Sequence, residues 1–254
     1  MEGLTFKYLI RFSYVGIAYS GLQKQINNPN TIQEVLESKL KKFLKRKPFV
    51  MSLGSRTDRG VHAQTQYLTL TTSVNLIPEV IVKALNFKLP LDIRIHNIFR
   101  IPDSFNIHKS ISSKTYRYYF SSMQSLSAKD SLFVYNHPKE LDIKLMKMAA
   151  KLFQGENDFR YFCTLGSRTP NTVRILQKCK IFKDSSGIYY LEVKSAGFLK
   201  YMIRFIMQAI IHVGEGQIEM TQLENILKNN TELPFTKKAP PHGLCLCDIE
   251  IKIP

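Results

Sequence analysis

The chain opens on an alternation. Phe6, Tyr8, Ile10, Phe12 and Tyr14 are separated by Lys7, Leu9, Arg11 and Ser13, a period of two that predicts a strand with one strongly apolar face. The period then lengthens to that of a helix: Ile32, Val35, Leu36, Leu40, Phe43 and Leu44 recur behind Thr31 and Glu34, whose types and spacing make a capping box. Further strands are predicted at about 49–53, 66–72 and 92–101. The last two are separated by a helix that Pro78 opens and that carries Val82, Leu85 and Leu89. The first half reads β-α-β-β-α-β.

The second half repeats that order, with a strand at 114–121, a helix at 141–153, strands at 173–183 and 188–195, a helix at 199–213 and a strand at 244–252. A short extra helix opens at Thr221 and is capped by Glu224. This is the order of the ferredoxin-like arrangement, in which helices cover one face of an antiparallel sheet. The expectation is an α+β chain of two ferredoxin-like halves, residues 1–105 and 106–254, divided in the polar stretch 102–113 and forming a central cleft. The duplication is one of pattern, without a sequence-level repeat.

Charge narrows the class of partner. Lys and Arg total 36 against 20 Asp and Glu, and a net charge of +16 calls for a polyanion, either nucleic acid or an anionic membrane. The most apolar stretch, Phe198 to Val213, is interrupted by Lys200, Arg204, Gln208 and His212, so no membrane span is expected. The strand pattern begins by Phe6, leaving no room for a cleavable presequence of ordinary length. An intracellular protein of the cytoplasm or mitochondrion is expected. Cys163, Cys179, Cys245 and Cys247 have no framework spacing and are expected as reduced thiols. Cys245 and Cys247 with His242 resemble half a zinc site, but no second Cys/His pair completes it, so no metal is expected.

The segment with most chemistry is Gly54-Ser55-Arg56-Thr57-Asp58-Arg59-Gly60-Val61-His62-Ala63, a loop between two predicted strands. An Arg two residues before an Asp, with a Gly two after, suits a carboxylate held ionised at a sharp turn. A salt-bridged surface turn uses the same residues, and the segment alone does not choose. A paired-carboxylate hydrolase needs a second acid in a comparable motif, and His62 alone is no metal-ligand set.

The surroundings do choose. The segment resembles the G-R-T-D-A-G-V-H-A signature of the TruA family of tRNA pseudouridine synthases. Tyr14-Val15-Gly16 through Tyr19-Ser20-Gly21-Leu22-Gln23-Lys24-Gln25 is similar to that family's opening motif, and Thr31-Ile32-Gln33-Glu34 follows. Leu85-Asn86 to Leu89-Pro90-Leu91-Asp92-Ile93-Arg94 resembles its L-N-x-x-L-P-x-D-I-R segment. Lys114-Thr115-Tyr116-Arg117-Tyr118 resembles its Y-R-Y strand, and Phe198-Leu199 with Met202-Ile203-Arg204 its F-L-x-x-M-V-R helix. Ala239-Pro240-Pro241-His242-Gly243-Leu244 closes a series that spans almost the whole chain in order.

The resemblance implies a cofactor-free isomerase that turns uridine into pseudouridine in the anticodon arm of tRNA, acting as a homodimer. It implies Asp58 as the attacking carboxylate, Arg204 as the guanidinium that pairs with it, Arg56 as the one associated with the displaced base, Tyr116 as the ring that stacks on the extruded base, and Leu244 packing against that base. Arg56 and Arg204 are both candidates to keep Asp58 ionised. Periodicity alone reads Arg204 as part of a solvated helix stripe with Lys200 and Gln208, and Tyr116 and Leu244 as core. Arg59 and His62, beside Asp58, are placed among the substrate-binding residues, although Arg59 also reads as a plain surface charge. The run Lys39, Lys41, Lys42, Lys45, Arg46 and Lys47 puts six cations in nine residues and reads either as tRNA phosphate contacts or as a solvated helix end.

The match has departures. Val15 replaces the family's Asp, Leu22 its Trp, Ser55 its Gly, Arg59 its Ala, His108 its Arg, Phe205 its Asn and Gln208 a Gly. Ser before R-T-D and a residue other than Asn after the helix Arg resemble the eukaryotic pseudouridine synthase-like branch. A protein that kept the fold and RNA binding but lost turnover is the rival reading, and the intact R-T-D triplet argues against it.

Overall fold

The computed structural model describes residues 6–26, 28–122, 125–164, 171–229 and 231–252. The opening alternation is strand β1 (Phe6–Tyr14), and the capping box opens helix α1 (Ile32–Phe43). Both of its bonds form: the Glu34 amide donates to the Thr31 hydroxyl at 3.3 Å, and the Thr31 amide to the Glu34 carboxylate at 3.0 Å. There follow β2 (Phe49–Leu53), β3 (His62–Thr72), α2 (Pro78–Lys88), β4 (Ile93–Ile101) and the short α3 (Ile107–Ser110). The remaining elements are β5 (Ile111–Ser122), β6 (Tyr135–His137), α4 (Ile143–Leu152), β7 (Gly155–Asp158), β8 (Val173–Leu176), β9 (Lys178–Lys183), β10 (Tyr189–Ser195), α5 (Met202–Gly214), α6 (Met220–Asn229) and β11 (Leu244–Ile251). The protein is a mixed α+β chain whose strands pair mostly antiparallel. Its two compact units are Met1–Ser112 with Cys245–Pro254, and Ser113–Leu244.

In the first unit β3 is the central strand. It pairs antiparallel with β1, which in turn pairs with β4; on its other edge it takes β2 at Leu68–Thr72 and, in parallel, β11 at His62 and Ala63. That last pairing explains why β3 begins at His62 rather than at Gln66, where the alternation starts. Residues 62–65 carry little apolar signal, and Ala63 is strand because it faces Tyr14 on one side and Leu246 on the other. One apolar face of β1, with Tyr8, Ile10, Phe12 and Tyr14, is buried. Leu9 on the opposite face is buried too, in a cluster with Ile101, Phe105 and Ile107. The stretch 102–113, expected as a polar connection, thus folds Phe105 and Ile107 onto the sheet before β5 starts at Ile111.

In the second unit β5, β10 and β9 form an antiparallel series, with β6 parallel to β5. The expected strand 173–183 is two strands. It breaks at Gln177, whose amide donates to Lys194 at 2.8 Å, and β8 leaves to pair with β7. Tyr118, Phe120, Cys179, Ile181, Leu191 and Val193 lie buried on one sheet face. Helix α5 is buried along most of its length, and a Cβ on Gly214 would lie 2.6 Å from Met146 of α4, so these two helices pack at close approach. Helix α5 begins at Met202 instead of Leu199 because Tyr201 takes a left-handed φ of 63° that no helix continues through.

A close approach in the first unit is tighter still. A Cβ built on Gly16 would lie 2.0 Å from the Val61 carbonyl oxygen and 2.6 Å from its carbon. Both partners are backbone, so neither can rotate away. Gly16→Ala is expected to cost about 1–3 kcal/mol or more, read as a lowered unfolding midpoint in denaturant. Its hydrogen exchange should rise selectively at residues 54–62 while the α4 and α5 amides stay protected.

Candidate active site

The loop that carries Asp58 is held from several directions. Its base closes where the Gly54 amide donates to the Tyr67 carbonyl at 2.8 Å. Its middle is tied to β1: the hydroxyls of Tyr14 and Thr57 are 2.6 Å apart, and the Leu22 amide donates to the Thr57 carbonyl at 3.2 Å. The turn after it forms where the Val61 amide donates to the Asp58 carbonyl at 3.2 Å, with Gly60 at φ 77°. Only glycine takes that conformation without penalty. Gly21, at φ 115°, lies against the same backbone, its missing Cβ 3.2 Å from the Thr57 oxygen and 3.3 Å from the Arg59 nitrogen.

Four stretches that are far apart in sequence thus form one piece. The Ile32 and Gln33 amides at the start of α1 donate to Gly21 and Leu22 at 3.2 and 2.9 Å, so two of the helix's orphan donors hold the segment that holds the loop. From the other side the Val15 amide donates to the Asp92 carbonyl at 2.9 Å, and the Tyr19 hydroxyl donates to the Asp92 carboxylate at 2.7 Å. Burial, reinforced by that carboxylate, pushes the Tyr19 phenol far above its ordinary value, so it stays a donor. Asn86 binds both backbone groups of Ile95 at 2.8 Å and so joins α2 to β4 beside Asp92.

On this frame Asp58 is half-buried, while Arg56 and Arg59 are exposed on either side of it. His62 is buried, and its Nδ1 accepts from the Gly16 amide at 3.2 Å. An accepting Nδ1 places the proton of the neutral ring on Nε2. Lys41, Lys42, Lys45 and Arg46 all stand exposed at the end of α1, where Lys45 and Arg46 adopt left-handed φ of 50° and 64° and the Arg46 amide returns to the Lys41 carbonyl at 2.9 Å.

The second unit brings its own motifs together. Tyr116 on β5 is 6% exposed and meets the Phe198 ring edge-on at 5.2 Å. Arg204, in the first turn of α5, donates from Nε to the Ala239 carbonyl at 2.7 Å, and the Ala239 amide donates to the Arg204 carbonyl at 3.1 Å. Its guanidinium also lies 5.5 Å over the Tyr201 ring, which Lys200 and Lys238 approach at 5.1 and 4.9 Å. Arg204 is therefore anchored by backbone rather than standing in a solvated stripe. Tyr118 donates to the Pro240 carbonyl at 2.8 Å, and a Cβ on Gly243 would meet that ring at 2.8 Å. Leu244 is buried beside it in sequence at the start of β11.

The links Tyr14 to Thr57, and Arg204 to Ala239, are invisible to periodicity. What signals them is the co-occurrence of short polar motifs, each unremarkable alone. Among the described residues no group of three His, Cys, Asp or Glu side chains could hold a metal ion, no helix is long and apolar enough to cross a membrane, and all four cysteines are free thiols.

The family described as tRNA pseudouridine synthase matches residues 11–108 and 149–250. The tRNA pseudouridine synthase A of Staphylococcus aureus (strain MRSA252) is 34% identical over 242 residues, covering 94% of this chain and 90% of the relative. That of Caldicellulosiruptor bescii is 33% identical over 241 residues, with 95% and 98% covered, and that of Pseudothermotoga lettingae is 29% identical over 248 residues, with 96% and 99% covered. With the motif-bearing segments all inside these matches or the full-length alignments, the chain belongs to the tRNA pseudouridine synthase family.

Proposed function

We propose that this chain isomerises uridine to pseudouridine in the anticodon arm of tRNA, without a cofactor, with the Asp58 carboxylate as the attacking group. The observation that carries the assignment is the fixed backbone around Asp58: glycine contacts, amide bonds and a Tyr14 to Thr57 hydroxyl pair hold one short loop. A group that must meet one atom of a substrate gains rate from such positioning.

The reaction is internally balanced. The target nucleotide leaves its stack, the carboxylate attacks, the bond from C1′ to N1 breaks, and the uracil turns so that C5 bonds to C1′. The bond that the carboxylate formed to the nucleotide breaks again, C5 loses its proton to solvent and N1 takes one up, so that product and substrate have the same atoms and charge. Nothing is oxidised or reduced. Tyr116 is proposed to stack on the displaced base, Leu244 to pack against it, and Arg56 and Arg204 to favour the ionised carboxylate. The Nε bond of Arg204 to the Ala239 carbonyl fixes the direction of its guanidinium within the second unit. The buried His62 acts through the backbone it holds at Gly16. Arg59, Lys41, Lys42, Lys45 and Arg46 are proposed as phosphate contacts, and a homodimer as the working form. The strand order β4, β1, β3, β2 in the first unit supports a ferredoxin-like reading of that half.

Three measurements test this. Wild-type protein given tRNA tritiated at uridine C5 should release tritium, and Asp58→Ala should lower release by about 10²–10⁴-fold or more; equal release from both removes the assignment, and tight binding with no release from either favours an inactive RNA binder. Tyr116→Ala should lower kcat far more than it weakens tRNA binding, whereas a defect confined to affinity argues against stacking on the reacting base. Replacing Lys41, Lys42, Lys45 and Arg46 by Ala should flatten the dependence of log affinity on log salt by about 0.7–0.9 for each phosphate that these side chains neutralise, and an unchanged slope would leave these residues as a solvated helix end.

A further inference from the structure

One surface of the second unit is used by none of the groups above. On β9, β10 and β5 the residues facing away from the buried face line up in cross-strand rows. Phe182, Tyr190 and Tyr119 pair directly in one row. Lys180, Glu192 and Arg117 pair in the next, and Lys178, Lys194 and Thr115 in the row beyond. The rings are contiguous: Phe182 and Tyr190 stack at 5.4 Å with planes 25° apart, and Tyr190 and Tyr119 are 5.6 Å apart. Tyr189, Leu191 and Val193 turn the other way, and of these Leu191 and Val193 are fully buried.

Charge decides what such a surface fits. The rows hold four cations and one carboxylate, and that carboxylate is already engaged. Glu192 bonds Arg117 at 2.7 Å and Lys178 at 2.6 Å. Burial alone would raise its pKa, but these two bonds more than offset it and hold the carboxyl below its ordinary value. The engaged cations are also seated on the rings, Arg117 at 4.8 Å over Tyr190 and Lys178 at 4.8 Å over Phe182. Glu192 therefore serves as an internal clamp that fixes the direction of two cations and two rings, while Lys180 stands exposed. A protein partner would need acidic side chains opposite the lysines and an apolar surface opposite the rings. A polynucleotide supplies both at once, as phosphates and base faces.

We propose that this ring row and its flanking cations are a second RNA-binding platform, on which unpaired bases of the tRNA, from a loop or an end, stack while their phosphates meet Lys178, Lys180, Lys194 and Arg117. Unpaired bases are the required form, because a base stacked in a stem has no free face to offer. The proposal rests on tRNA being the substrate and goes beyond it by assigning a contact remote in sequence from Asp58 and from the α1 cations.

The chain contains no Trp, which makes a direct test available. Tyr190→Trp introduces the sole indole, and Phe182→Trp serves if the first variant does not fold. The indole emission should be quenched by tRNA over the same concentration range in which tRNA binds, and a fully base-paired RNA duplex should quench it less. Tyr190→Ala should weaken tRNA binding by about 5- to 150-fold with the salt slope and kcat unchanged, and Tyr190→Phe should restore affinity. Lys180→Ala should flatten the salt slope by about one. An indole silent to tRNA in a protein that binds and converts tRNA normally overturns the platform and leaves the functional reading intact. An indole that responds instead to protein concentration overturns it in favour of a second copy of the chain. Absence of tRNA binding by the wild type overturns the functional reading and the platform with it.

Discussion

The contact between Gly16 and Val61 is the constraint on which the candidate site depends. Two backbone segments approach so closely that no side-chain carbon fits between them, and the Gly16 amide donates to His62 in the same place. Because one segment continues β1 and the other begins β3, the approach is made possible by the β1 and β3 pairing and its irregularity between Phe12 and Tyr14. The loop with Asp58 is then a consequence of sheet geometry rather than of its own turn preferences. This is why so many of the neighbouring bonds are backbone to backbone, those of Val15 and Leu22 included. Leu22 itself is fully buried.

The second unit solves the same problem by a different device. Tyr201 accepts a left-handed backbone that costs on the order of 1–3 kcal/mol, and three cations from Lys200, Arg204 and Lys238 gather about its ring. The helix start that results places Arg204 where the Ala239 carbonyl and amide grip it from both directions. Both of these Arg204 bonds go to main-chain groups of Ala239, so neither involves the side chain of the neighbouring Phe205. That ring is buried in α5 and takes Lys238 at 5.3 Å.

The net charge of +16 comes from several separate stretches of the sequence. The α1 end, the arginines flanking Asp58 and the outer rows of β9, β10 and β5 each carry cations, but only the last are interleaved with rings and clamped by a carboxylate. Exposed lysines at a helix end make a diffuse attraction for phosphate, governed by salt and indifferent to base identity. Cations fixed over aromatic faces make a shaped one. The difference is physical: the first has its entropy still to lose on binding, and the second has lost part of it on folding.

Local periodicity and capping determined the order of the main elements, the capped start of α1, the Pro78 opening of α2 and the apolar face of β1, because each depends on residues within a few positions of one another. The motif series likewise determined the family, and with it Asp58, Tyr116 and Arg204 as the residues to watch. What local signals left undecided lies where distant segments meet. The four-residue earlier start of β3 needs β11, the break at Gln177 needs β10, and the burial of Phe105 and Ile107 needs the back of β1, none of which is encoded near the residue concerned. The anchoring of Arg204 by Ala239, the Tyr14 to Thr57 bond and the alignment of Phe182, Tyr190 and Tyr119 into one row were decided by tertiary structure alone. A hydrogen bond or a ring contact is satisfied by whichever partner the fold delivers, and the sequence carries the donor, the acceptor and the ring without their pairing.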